Sequence, residues 1–395
     1  MASFQARIKR AHFQVVLWQA AGEPSPPELD PVEYVMNITA PAASVIWELA
    51  TSTSDPATQV TRAQDRNIVS VHQYQVTKWT LVALQVAVCT FGLVTNVINV
   101  AVFIKMGVAE SATSISFFSL AVSDLAFVVA YFIFILLTIH GHFSSNFAYN
   151  VIAVFVFTLP YSLSSAITAY LSLQKMFCVA IPLKFRNVFT LQRTVIVLVF
   201  MSAVITACFV PMFATMYPVE FQNSVTNSSM VILAYRPGGP KLRRAFEISI
   251  QYLLPLSAQV IVIVCLVILM TKLKQASRFR HSNLTKTTES DSANSGSFRL
   301  SGKELQAVKA VTVVAGMFVT CNLPPVCVTM ATIIEPRYHD TSLYFRLYNA
   351  ITFARYTLMT FCSSLNLLVY VKFNTNFRQT LANMFSSRAD TNAWE

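Results

Sequence analysis

The chain has 395 residues, of which 54% are hydrophobic and only 12% charged, with a formal net charge of +11 and a mean hydropathy of +0.54. A soluble domain carries roughly 25% charged residues, so this composition excludes a soluble globular protein and points to a polytopic membrane protein. The basic surplus is spread over connecting segments rather than gathered on one face, which excludes nucleic acid as a partner.

Residues 1–75 are polar, with Pro24, Pro26, Pro27, Pro31 and Pro41, and read as a largely disordered tail. Arg7, Lys9 and Arg10 precede an apolar stretch, but Gln14, Trp18 and Gln19 make it too polar for a good signal peptide. Asn37 opens a glycosylation sequon, Asn37-Ile38-Thr39, usable if the tail is extracellular.

Seven apolar segments follow, near 79–104, 115–138, 150–178, 193–216, 245–271, 305–334 and 342–371. Each is long enough for a ~30 Å hydrocarbon core. With nine glycines and no alternating ten-residue pattern, a membrane β-barrel is excluded. The expected fold is an all-α membrane protein: residues 76–371 form a seven-transmembrane helix bundle, and 372–395 a short amphipathic eighth helix and tail. All seven cysteines lie inside apolar segments, so buried thiols are expected and no extracellular disulfide framework is visible.

Lys and Arg near the span ends set orientation. With the N-terminus outside, the cytoplasmic segments hold 16 of them and the outside 13, several of those in the tail where the rule weakens. That favours N-out, with the sequon of Asn227 also outside. The third cytoplasmic loop, 275–302, is basic and then rich in Ser and Thr; a flexible linker and a phosphorylation-controlled docking segment are both compatible with it.

Several polar residues stand inside these segments. Asp124 lies mid-depth in the second, where a carboxylate costs roughly 2.5–3.5 kcal/mol on insertion scales and needs a partner or a use. Its partner could be Asn96 of the first segment or Asn366 of the seventh, holding helices together. Alternatively, Asp124 is an ion or proton site. Lys175 ends the third segment, next to Gln174, and could simply snorkel. Glu304 opens the sixth segment, where Phe318, Cys321 and Asn322 lie just ahead of Pro324, a proline of the kind membrane helices tolerate. In the seventh, Asn366 and Tyr370 are four residues apart on one helix face. Phe373, Phe377 and Leu381 then continue at helical spacing among Lys372 and Arg378, which suits a helix lying on the membrane surface.

Taken in order, these landmarks resemble the rhodopsin-like G-protein-coupled receptors, over residues 76 to about 385. The resemblance implies a sodium-binding polar core at Asn96, Asp124 and Asn366. It places the coupling switch at Gln174, Lys175, Glu304 and Tyr370, with a resting-state latch between Glu304 and Lys175. It also implies a hinge at Phe318, Cys321, Asn322 and Pro324, with a kink at Pro255. No motif is intact. Gln174 and Lys175 replace the acid and arginine of the third helix, Asn322 replaces the usual tryptophan, and Leu367 stands where the family has proline. The fourth segment has no tryptophan, and the third lacks the outer cysteine that staples the second extracellular loop. These departures, with the stretch from Ile181 to Thr190, look like the divergent receptors called molluscan candidate chemosensory receptors.

The implied partners are an extracellular ligand, a heterotrimeric G protein, membrane lipid and arrestin-like regulators at the third cytoplasmic loop, with no cofactor. Phe157 stands where amine receptors carry an aspartate, which argues against a monoamine. Candidate ligand-binding residues are Arg355, Arg346, Glu247, Gln251 and Asn322, and Arg355 could instead pair with Glu247. A non-coupling decoy or partner subunit is the alternative that the altered motifs feed. A transporter is a lesser one, since no internal repeat is visible. No nucleophile–base set or metal-ligand spacing suggests an enzyme.

Overall fold

The computed structural model describes residues 67–141, 147–181, 185, 187–223, 228–236, 238–284, 302–334 and 344–391. Helix α1 (Val71–Met106) starts earlier than its apolar pattern suggests. Ser70 caps it, accepting from the Gln73 amide while the Gln73 side chain accepts from the Ser70 amide, so the helix begins in polar sequence. Its buried face repeats at three- and four-residue spacing through Val82, Gln85, Cys89, Gly92, Asn96, Asn99 and Phe103, an unusually polar stripe.

Helices α2 (Ala112–Ile139), α3 (Phe147–Ala180) and α4 (Leu191–Thr215) follow, α2 and α4 capped by Ser111 and Thr190. A two-stranded antiparallel hairpin comes next, β1 (Met216–Asn223) and β2 (Ser228–Tyr235). It departs from the all-helical expectation, and its cause is local. Tyr217, Val219 and Phe221 alternate on β1 with polar neighbours, and Val231 and Ile232 stand on β2, residues suited to a pleated strand. Helix α5 (Gly239–Phe246) leads through a π-helical stretch, Glu247–Leu253, into α6 (Leu254–Leu284). Helix α6 therefore runs well into the segment expected as a flexible linker, carried by good helix formers such as Lys272, Lys274, Gln275 and Ala276. Helices α7 (Gly302–Ile334), α8 (Phe345–Ser364), α9 (Asn366–Phe373) and α10 (Thr375–Thr391) complete the chain.

Among the described residues, six helical runs are long and apolar enough to cross a membrane: α1, α2, α3, α4, α7, and the continuous run Lys241–Lys272. Apart from the hairpin, this is a helical architecture of the multi-pass membrane kind. The run expected at 342–371 is helical too, but it is split between α8 and α9 and carries Arg346, Asn349 and Arg355.

Helix α3 packs against α2, α4, α6 and α7, while α1 closes the ring between α2 and α8. Large apolar side chains such as Val199 and Phe200 of α4 and Val260 and Val267 of α6 point outward, as lipid-facing residues do. At the hairpin end, Leu233 and Tyr235 sink into a cluster with Phe155, Phe209, Met212 and Phe246. At the opposite end, Phe103, Phe117, Leu171, Val311, Tyr370 and Phe377 form another, and it docks α10. Asn374 caps that helix by accepting from the Phe377 amide at 3.1 Å.

Candidate functional site

Polar residues of three helices meet at Asp124, which is 1% exposed. Ser164 of α3 donates to its Oδ1 at 2.6 Å, and Asn366 of α9 donates to its Oδ2 at 2.7 Å. One carboxylate therefore ties α2 to both α3 and α9. Both its oxygens are satisfied, as a buried charge requires. Beside it lies a cavity of about 20 Å³, lined among others by Ser164, Thr168, Tyr161, Phe318, Asn322 and Ser363. That is room for one water-sized species.

Asn96 does not bond to Asp124. Its Nδ2 donates to the carbonyls of Gly92 and Ser363, both at 3.0 Å, and Thr95 donates to the Ser364 carbonyl at 3.0 Å. In a regular helix those two carbonyls would accept from Leu367 and Leu368. The Leu368 amide turns instead to Leu365 at 3.1 Å, and the helix breaks there into α8 and α9. Leu367 stands where a proline would enforce such a break, and two side chains of α1 occupy the carbonyls in its place. Gly92 lets α1 come close enough, because a Cβ there would collide with the Ser364 hydroxyl.

Above the cavity, toward the hairpin end, Tyr161 donates to Asn322, whose amide donates to the Phe318 carbonyl at 2.9 Å. Asn322 thus joins α7 to α3 at the expected hinge, four residues from Phe318 and two before Pro324. Cys321 and Phe318 are buried beside it, Phe318 among the small residues Ala169, Ala258 and Ala315. Pro255 sits at the second position of α6, directly after the π-helical stretch that carries Gln251.

At the α10 end, Lys175 is buried and donates to Thr113 of α2 at 2.5 Å. Gln174 is wholly buried, and neither its amide nitrogen nor its oxygen has a hydrogen-bond partner. The Tyr370 hydroxyl is likewise buried without one, its ring held by Phe117 at 5.0 Å, Phe103 at 5.3 Å and Phe377 at 5.5 Å. Glu304 belongs to α7, but its side chain lies outside the described residues, as do Asn37, Asn227 and the Ser/Thr run of the third loop, so the Glu304–Lys175 latch does too.

The candidate ligand residues separate. Arg346 donates to the Val69 carbonyl at 2.9 Å and its amide meets Asn67, so it fastens α8 to the segment before α1. Glu247 does not pair with Arg355; it takes Arg243, one helical turn away, at 2.7 Å. Arg243 also donates to the Tyr235 hydroxyl at 2.9 Å and anchors the hairpin. Burial pushes the Tyr235 phenol up from its ordinary value, and the Arg243 charge offsets part of that. Phe157 is fully buried in a ring cluster with Tyr131 at 5.0 Å, Tyr356 at 5.1 Å and Phe134 at 5.3 Å. It fills the space between α2, α3 and α8 rather than lining a pocket.

Ser164 and Tyr161 were not singled out in the sequence. Their signal was present: Tyr161, Ser164, Ser165, Thr168 and Ser172 recur at helical spacing and mark a polar stripe along α3. No family model matches the chain, and no curated protein matches it.

Proposed function

We propose that this chain is a rhodopsin-like receptor of the plasma membrane, N-terminus outside, that passes binding of an extracellular ligand to heterotrimeric G proteins. In this reading α8 and α9 are one seventh span and α10 is the interfacial eighth helix. The observation that carries it is the Asp124 node. A buried carboxylate joins three helices beside a polar cavity, directly beneath the Tyr161–Asn322 contact, two residues before Pro324 of α7. Buried ionisable groups inside a membrane bundle favour function over mere packing. A ligand that touches α7 and α8 above this node shifts the bundle only if it binds one arrangement better.

Sodium is the ion that the family resemblance implies here, and the donor set fits it. Asp124, Ser164 and Thr168 offer hard oxygen atoms around a space of about 20 Å³. A bound cation would neutralise the carboxylate.

The non-coupling reading draws on Gln174, whose buried amide lacks any partner where receptors hold an acid. To decide between them, the full chain would be placed in lipid nanodiscs with a panel of heterotrimers. A nucleotide-free complex that GTP dissociates supports the receptor reading; its absence with every heterotrimer removes it.

A further inference from the structure

Arg355 of α8 is the conspicuous charge of the hairpin half. Its Nε is buried and has no hydrogen-bond partner, and its guanidinium lies 5.4 Å from the centre of the Tyr356 ring. Among the described residues, no carboxylate lies within ion-pair distance of it, because Glu247 is held by Arg243. A guanidinium kept half out of water without an anion is unfavourable for the folded chain alone.

We propose that Arg355 is the anchor of a binding site for a small organic carboxylate. This proposal rests on the receptor reading for its consequence but not for its chemistry. The unpartnered Nε, with the neighbouring Nη, offers the side-on pair of parallel N–H donors that fits two carboxylate oxygens. One guanidinium without a second cation suits a single negative charge better than a phosphate dianion. The Tyr356 ring beside the guanidinium supplies apolar surface for the acid's body. Cys362 and Ser363, about two turns further along α8, line the cavity beside Asp124, so an acid seated on Arg355 acts on a helix that meets the node.

The test uses the full chain in nanodiscs and reads thermal unfolding, which needs no G protein. The probes are propionate, hexanoate, decanoate and benzoate, each beside its neutral amide. Carboxylates are expected to raise the midpoint of the wild type and their amides not to. Arg355→Gln should lose at least about tenfold in carboxylate affinity, the loss of one charge-assisted pair. Arg355→Lys should keep part of it. Without any acid, Arg355→Gln should unfold at a higher temperature than the wild type, since an uncompensated charge has been removed. A lower midpoint for Arg355→Gln, stabilisation by none of the acids, or equal stabilisation of wild type and Arg355→Gln overturns the site. Carboxylate binding with no nucleotide exchange on any G protein would keep the site and count against the receptor reading.

Discussion

Asn366 donates to the Oδ2 of Asp124 at 2.7 Å, across 242 positions of sequence, and joins the last turn of the bundle to its second helix. Other polar groups of the core lie near that contact: Ser164 completes the carboxylate, and Asn96 and Thr95 hold the backbone just before Asn366. Asn366→Ala leaves one carboxylate oxygen short of a donor. The expected loss is about 1–3 kcal/mol of stability, read as a lower unfolding midpoint in nanodiscs. An unchanged midpoint would mean that the node bears no load.

Sodium dependence follows from the same carboxylate. Replacing sodium with choline should lower the unfolding midpoint of the wild type but not of Asp124→Asn, which retains the shape and loses the charge. Equal responses of the two proteins would remove the cation from Asp124.

The break at Leu365 was not legible in the sequence, because the side chains that take the Ser364 and Ser363 carbonyls, Thr95 and Asn96, lie 269 and 267 positions before them. Thr95→Val combined with Asn96→Leu should return the Ser363 and Ser364 carbonyls to Leu367 and Leu368. Hydrogen exchange at those two amides should slow. Exchange that stays fast would show that α1 does not set the break.

Close approach of α1 gives a paired prediction. Gly92→Ala should destabilise by about 1–3 kcal/mol, since its methyl meets the Ser364 hydroxyl. Ser364→Ala in the same chain should recover part of that loss. Purely additive effects would place the collision elsewhere.

The apolar periods placed the long helices well, since a membrane span is a strong and local signal. The polar core was legible as residue types, with Asp124, Asn96 and Asn366 all buried, but not as a bonding pattern. Asn96 turned to a carbonyl because the kink left one within reach. Glu247 turned to Arg243 because a partner one helical turn away needs no tertiary approach. The hairpin was missed for a different reason. Its strands lie between two apolar runs, and its anchor, Tyr235 on Arg243, is a contact that only the folded chain creates.

In the receptor we propose, Gln174 and Lys175 of α3 still operate a G protein. The direct measurement is nucleotide exchange by heterotrimers reconstituted with wild type, Lys175→Ala and Lys175→Arg at matched protein levels. Exchange by the wild type, its loss in Lys175→Ala and a higher rate in Lys175→Arg are the predicted results. Silence of all three beside a chimera carrying an intact acid–arginine motif that does exchange would contradict the claim, and would make this chain a bundle that keeps the fold without the coupling.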